Sequence, residues 1–159
     1  MEFTTLIQLR RSIRNYKSTP VPADIVDKLC VALQSAPTGN NKQPFEFIFV
    51  KDTELRRRVA EEACHQDHIG QAPLIMVACC EKGQSFNVAI AVDHMILAAA
   101  NEGIGSCWVG WMEPDVIKRI LGIPDELEVP IIVPLGYANE EPPQKERKPI
   151  TELIKYDRY

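Results

Sequence analysis

Three arginines, Arg10, Arg11 and Arg14, fall within the stretch LRRSIRNYKS, with Ser12 between them. Guanidinium forks and a hydroxyl are the donors that grip a phosphate monoester through bidentate, charge-assisted hydrogen bonds. A second basic pair, Lys145 and Arg147, recurs near the end of the chain. Two such groups, far apart in sequence, clamp one dianion if the fold brings them together. A solvated helix end is the competing reading, and residue types alone leave it open. The formal net charge of −4 argues against general nucleic-acid binding, which usually shows as an overall basic domain. The cluster is therefore local and calls for a local partner.

The other chemistry-bearing patterns are weaker. CHQDH, residues 64–68, has metal-ligand residue types but no zinc or iron spacing. It reads as an exposed helix end whose histidines suit the helix dipole. Asp93 and His94 are adjacent on a predicted helix and so point apart, with no nucleophile elbow beside them; a satisfied polar pair in a helix–helix contact is expected. GIGSCWVG is not GxGxxG, and it follows a helix instead of opening one, which argues against a dinucleotide fold. No GK[ST] occurs, so a P-loop is excluded. Trp108 and Trp111 suit either the flanks of a planar ligand or a core.

The elements that must position these residues are legible in outline. The 159 residues predict one domain, 1–159, with a core sustained without disulfides. Five cysteines, an odd number without CxxC spacing, predict a reducing, cytoplasmic setting. The longest apolar segment, FNVAIAVDHMILAAA, is interrupted by Asp93 and His94 and is too short to span a bilayer. FTTLIQLRRS predicts a short helix, and PADIVDKLCVALQSA a longer one with Pro22 in its first turn. PTGNNKQP is a loop in which Gly39, Asn40 and Asn41 suit unusual backbone angles. FEFIFVKD, APLIMVACCE and VPIIVPLGYA read as buried strands, with GIGSCWVGWM a glycine-interrupted strand or loop. Helices are expected over TELRRRVAEEACH with Thr53 as N-cap, over SFNVAIAVDHMILAAANEG ending at Gly103, and over EPDVIKRILGI ending at Gly122. The polar tail, 139–159, carries apolar anchors at Ile150, Leu153, Ile154 and Tyr156, so it is either frayed or docked on a partner. The pattern is mixed α and β, with helices covering a sheet.

Four stretches, RRSIRNY, SAPTGNNKQPFEFIFV, AAANEGIGSCWVGW and PLGYANEEPPQKERKP, occur in an order that resembles the FMN-dependent nitroreductases, in a short form. The resemblance spans nearly the whole chain. It implies an α+β fold, a mainly antiparallel sheet with helices on both faces. It also implies a homodimer that exchanges C-terminal tails and holds FMN at the subunit interface. Carried over by position, Arg10, Arg11 and Ser12, with Lys145 and Arg147, hold the phosphate and ribityl chain. Arg14 lies by the pyrimidine edge of the ring. Pro37, Thr38, Gly39 and Asn41 are lent by the second subunit, with Gln43 as a neighbour. Trp108, Val109 and Gly110 pack against the ring and turn a backbone N–H toward it. Larger relatives have an asparagine and a lysine before the second strand that bond the ring. Here the region is CHQDHIGQAP, leaving Gln66 or His65 to take that part, or nothing. Trp111 stands where glycine is common and narrows the substrate side.

The implied chemistry needs no side-chain acid or base and no metal. NADH or NADPH reduces the bound FMN, which then reduces a small electrophile such as a nitroaromatic or quinone in the same pocket, with ping-pong kinetics. A fixed Arg14 guanidinium stabilises the negative charge that reduction leaves on the ring. The alternative is a non-catalytic flavin-binding protein for storage or redox sensing. No nucleic-acid or membrane partner is expected.

Overall fold

The computed structural model describes residues 2–159. Its centre is an antiparallel sheet of four strands in the order β1-β2-β4-β3: β1 (Phe45–Val50), β2 (Leu74–Cys80), β3 (Gly105–Ser106) and β4 (Glu128–Gly136). The run LIMVACC becomes β2 because it is apolar on both faces, which only an inner strand between two helical layers can bury. Leu74, Met76, Ala78 and Cys80 point to one layer, and Ile75, Val77 and Cys79 to the other. Each fully buried aliphatic side chain here contributes roughly 1.5–3 kcal/mol before entropy is counted.

The first layer is α2 (Ala23–Gln34) with α5 (Ser85–Asn101), packed through Leu29, Leu33, Val92, Met95 and Ile96. The second is α3 (Thr53–Arg58), its π-helical continuation Val59–Cys64, α4 (Asp67–Gln71) and α6 (Pro114–Leu121), packed through Val59, Ile69 and Ile117. Helices thus cover both faces, as the resemblance implied. α1 (Phe3–Leu9) precedes these layers, and α7 (Ile150–Leu153) lies in the tail. No helix among the described residues is long and apolar enough to cross a membrane.

β4 carries Pro130 and Pro134, residues that ordinarily break a ladder. On the β3 side of β4, Ile132 exchanges both backbone hydrogen bonds with Val109, at 3.0 and 3.1 Å. The two prolines turn their missing N–H toward that same side, where β3 reaches only Leu135 and Gly136. The ladder to β2, on the opposite side, is therefore not interrupted by them.

Several sequence expectations are corrected. β1 is an edge strand with only Val50 fully buried, not an inner one: strand length and apolar content do not reveal which strand lacks a second neighbour. The N-cap of α3 is Asp52, whose Oδ1 accepts the Leu55 N–H at 2.8 Å, and not Thr53. Asp93 and His94 are exposed on α5, not the buried polar pair that was expected. His65 and His68 do not share a last turn. His65 is a left-handed C-cap with φ 52°, and His68 lies in the next helix.

The segment after α1 lies along the sheet edge formed by β3 and the end of β4. Ile13 N–H donates to Ser106 O, Lys17 N–H to Tyr137 O, and Asn139 N–H to Asn15 O, each at 2.9 Å. Gly105 permits this approach: a Cβ there would stand 2.7 Å from Ile13 Cγ1. The buried Tyr16 hydroxyl locks the layer, donating to Ile13 O at 2.6 Å with Pro134 O at 3.2 Å. Residues 10–14 are thereby pinned beside the start of the tail.

Candidate functional site

The pinned segment and the tail enclose a cavity of about 300 Å³. Arg10, Arg11, Ser12, Arg14, Lys145 and Arg147 line it. The two basic groups, separated by most of the chain, therefore meet in space. Among the described residues, the side chains of Arg10, Arg14, Lys145 and Arg147 form no ion pair and no hydrogen bond. Arg11 differs, because its Nη1 donates to Gln8 O at 2.6 Å and Arg10 O at 2.9 Å, closing the end of α1. Cations crowded around one cavity repel one another, and a bound dianion converts that repulsion to attraction. An apolar cleft of about 330 Å³ adjoins, with Leu6, Leu9, Ile13 and Ile104 on its walls and Arg10 and Arg11 shared between the two spaces.

Glu140 ties the tail to the cluster. Its carboxylate accepts the backbone N–H of Arg14 through a short hydrogen bond and that of Asn15 at 3.1 Å. It therefore holds the Arg14 backbone while leaving the guanidinium unpaired. The Cys107 thiol lies in the same neighbourhood, donating to Trp108 O at 3.6 Å and within the field of Arg14 and Arg10. Burial raises its pKa more than those groups lower it, so it stays protonated.

The other expected site residues lie apart from this cavity. The loop of Pro37, Thr38, Gly39, Asn41 and Gln43 does not line it. It is built outward around a one-turn 3₁₀ segment, Gly39–Asn41. Asn40, Asn41 and Gln43 take φ of 53°, 53° and 50°, a left-handed conformation that costs non-glycine residues energy. Gln43 N–H donates to Thr38 Oγ1 at 3.0 Å, and Gln43 Nε2 donates to Asn41 O at 3.1 Å, which holds the loop in shape. Gly39 does not itself take a positive φ, contrary to expectation. Val109 is buried and spends its N–H on Ile132 O, so the donors left in that stretch belong to Trp108 and Gly110. Trp108 is 37% exposed and Trp111 86% exposed, so neither is a core residue.

Gln66 and His65, expected to reach a ring, are otherwise engaged. Gln66 Nε2 donates to Trp111 O at 3.4 Å, and His65 Nε2 lies 3.0 Å from Glu113 Oε1. With Glu113 N–H donating to Ala63 O at 2.8 Å, they tether residues 111–113 to the end of the π-helical segment.

A family model described as "Putative TM nitroreductase" matches residues 2–159. The chain belongs to the nitroreductase family. As a nitroreductase it is an enzyme of the oxidoreductase class. It is 32% identical over 153 residues to a protein of Methanothermobacter thermautotrophicus named "Putative NADH dehydrogenase/NAD(P)H nitroreductase", covering 89% of this chain and 80% of the relative. The solved nitroreductase family protein of Clostridium difficile 630 superposes with a TM-score of 0.89 at 28% identity, covering all of both chains. An FMN-dependent nitroreductase of Clostridium difficile R20291 superposes with a TM-score of 0.89 at 25% identity, over 97% of this chain and 98% of that one.

Glu140 also stands at this nitroreductase site, and residue types alone do not reveal it. Glu140 stands in the quoted NEEPP stretch, but an acidic residue beside a cationic cluster looks like a neutralising charge. Only the fold shows that it bonds backbone instead.

Proposed function

We propose that this nitroreductase binds FMN with its phosphate in the basic cavity, on Arg10, Arg11, Ser12, Lys145 and Arg147. The ring then lies toward Arg14 and the Trp108, Val109 and Gly110 stretch. The observation that carries this reading is the convergence on one cavity of about 300 Å³ of two cationic groups that are distant in sequence and, among the described residues, form no ion pairs. The donor set suits a phosphate dianion, and the Arg14 guanidinium suits an electron-accepting ring.

When bound, FMN supplies hydride acceptance from NADH or NADPH and electron delivery to a small nitroaromatic, quinone or related electrophile. Arg10, Lys145 and Arg147 hold the cofactor by charge, while the Ser12 hydroxyl and Arg11 add directed hydrogen bonds. Arg14, positioned by Glu140, places fixed positive charge where negative charge grows on reduction, and needs no proton transfer to do so. One pocket serves both electron donor and acceptor in turn, which makes the kinetics ping-pong.

The working unit in this reading is a homodimer. Exposed Phe3, Ile7, Val31 and Phe86, at 64, 46, 60 and 76%, form apolar surface of the kind that partners cover. β1 leaves an unpaired edge, and the tail anchors Ile150, Leu153, Ile154 and Tyr156 are exposed. This supports a tail exchanged onto the partner's β1 edge. The strained 37–43 loop then completes the partner's flavin site.

The test is the absorption spectrum of protein reconstituted with FMN, before and after anaerobic NADH or NADPH. Rapid bleaching of bound flavin is expected. Bound flavin that neither nucleotide reduces makes the protein a flavin store or sensor. Arg10→Ala and Arg147→Ala each remove a charge-assisted contact worth roughly 1.5–3 kcal/mol, so each should weaken FMN binding by about 10- to 150-fold. Full retention of flavin by both variants overturns the phosphate assignment.

A further inference from the structure

In the reading above, FMN leaves the apolar cleft beside the basic cavity unused, yet the two spaces share a wall. Arg10, Arg11 and Pro142 line both. Ser12, Lys145 and Arg147 stand on the cavity side. Leu6, Leu9, Ile13 and Ile104 stand on the cleft side, with the carboxylates of Glu140 and Glu141. A group that extends from the cavity into the cleft therefore passes the arginines before it meets apolar walls.

The parts of the cleft restrict what that group is. Its volume of about 330 Å³ lies at the lower end of the range that small-molecule sites enclose. Gly103, just past α5, contributes bare backbone, and a Cβ there would meet nothing within 4 Å. Bare backbone flanked by aliphatic side chains admits a flat ring. Glu140 is spent on the backbone N–H groups of Arg14 and Asn15, whereas Glu141 forms no ion pair among the described residues. A free carboxylate at the rim of such a slot accepts hydrogen bonds from hydroxyls, as acidic side chains do from a ribose. Arg11 gives Nη1 to the end of α1 and keeps Nε and Nη2, and the Arg10 fork is wholly free to bond adjacent phosphates. Guanidinium, then carboxylate, then apolar slot matches the order of groups along a nucleotide: phosphate, ribose, base.

Resting on the FMN reading above, we propose that the cleft binds the adenosine 5′-phosphate arm of FAD, so that this site takes FAD as well as FMN. The flavin-side phosphate stays with Ser12, Lys145 and Arg147, and Arg10 bridges to the second phosphate. Glu141 accepts the ribose hydroxyls, and adenine packs among Leu6, Leu9 and Ile104.

Isothermal titration calorimetry of the flavin-free chain with FMN and with FAD tests this. Wild type, Ala100→Leu, Leu9→Ala and Glu141→Gln are compared, with thermal melts as the folding control and sedimentation velocity to follow association. Wild type should bind FAD within about tenfold of FMN. Ala100→Leu puts a larger side chain into the cleft and should weaken FAD by about tenfold or more, with FMN unchanged. Leu9→Ala and Glu141→Gln should each weaken FAD by about three- to tenfold and leave FMN unchanged. Leu9 is 54% exposed, so its truncation keeps the test decisive if Ala100→Leu fails to fold. FAD affinity that none of the folded variants lowers overturns the proposal, as does a loss shared equally by FMN. A wild type that binds FMN but not FAD overturns it too. Variants that leave FAD affinity intact and shift the monomer–dimer equilibrium assign the cleft to the partner subunit, and so also overturn it. A wild type that binds neither flavin overturns the FMN reading itself, which separates the two failures.

Discussion

Replacing Gly105 by alanine tests whether the sheet edge positions the anion cluster. The added Cβ would lie 2.7 Å from Ile13 Cγ1, 3.0 Å from Ile13 Cβ and 3.2 Å from Gly136 O. Carbon atoms pack at about 3.5–4.0 Å, so Ile13 must retreat by roughly 0.8 Å. Rotating the Ile13 side chain removes the Cγ1 overlap but not the Cβ one, and the backbone of residues 12–14 has to move. Overpacking a well-filled site costs about 1–3 kcal/mol, and a backbone shift belongs in the upper half of that range. Loss of glycine's freedom in the unfolded chain returns about 0.4–1 kcal/mol. The net loss is about 1–2.5 kcal/mol, which lowers Tm by about 2–10 °C for a domain of this size. Because Ser12 and Arg14 flank Ile13, FMN affinity should fall alongside Tm. Gly39→Ala is the control for the melting temperature alone, since its Cβ meets nothing within 4 Å and its φ is not positive, while its loop belongs to the flavin site. Calorimetry and flavin titration report the two effects. Gly105→Ala melting with wild type and binding FMN as tightly would show that Ile13 and its neighbours are not held by this contact.

Three further outcomes are expected. Asp52→Ala removes the cap on Leu55 N–H and should cost about 1 kcal/mol by urea denaturation, with Thr53→Ala costing less. Tyr16→Phe strands the Ile13 and Pro134 carbonyls within the core and should cost about 1–3 kcal/mol by the same measurement. Burial pushes the Cys64 and Cys79 thiols up from 9.0 to about 11. The folded state therefore holds these protons more tightly than the unfolded chain does. That stability is fully present below about pH 9, the unfolded value, and is lost as pH rises toward 11. Melting temperature should fall across this window, less steeply in the Cys64→Ala/Cys79→Ala double variant; an identical slope refutes the assignment.

Much of the fold is legible because the signals are local. The apolar run of β2, the helical spacing of α2 and the glycine stops at Gly103 and Gly122 each follow from a few neighbouring residues. Edge status is not local, which is why β1 reads as buried. Capping depends on where the chain turns, which is why Asp52 supplants Thr53. For the candidate site, Arg10, Arg11, Ser12 and Arg14 are visible as a cluster, and Lys145 with Arg147 as a second one. Their convergence depends on the backbone bonds of Ile13, Lys17 and Asn139 to the sheet edge and the tail, contacts between residues that share no sequence neighbourhood.

By itself the sequence determined the inventory: helices alternating with buried strands, an acidic chain with a local basic cluster, and ordered motifs that carry the family. Those properties reside in residue type and short-range spacing, and they survive without coordinates. Tertiary structure alone decided that the two cationic groups share a cavity and, among the described residues, form no ion pairs. It also decided that Glu140 bonds backbone instead of neutralising Arg14, and that Gln66 and His65 are occupied by Trp111 and Glu113. Burial and hydrogen-bond satisfaction are properties of surroundings, and surroundings are set by segments that the chain brings together only when it folds.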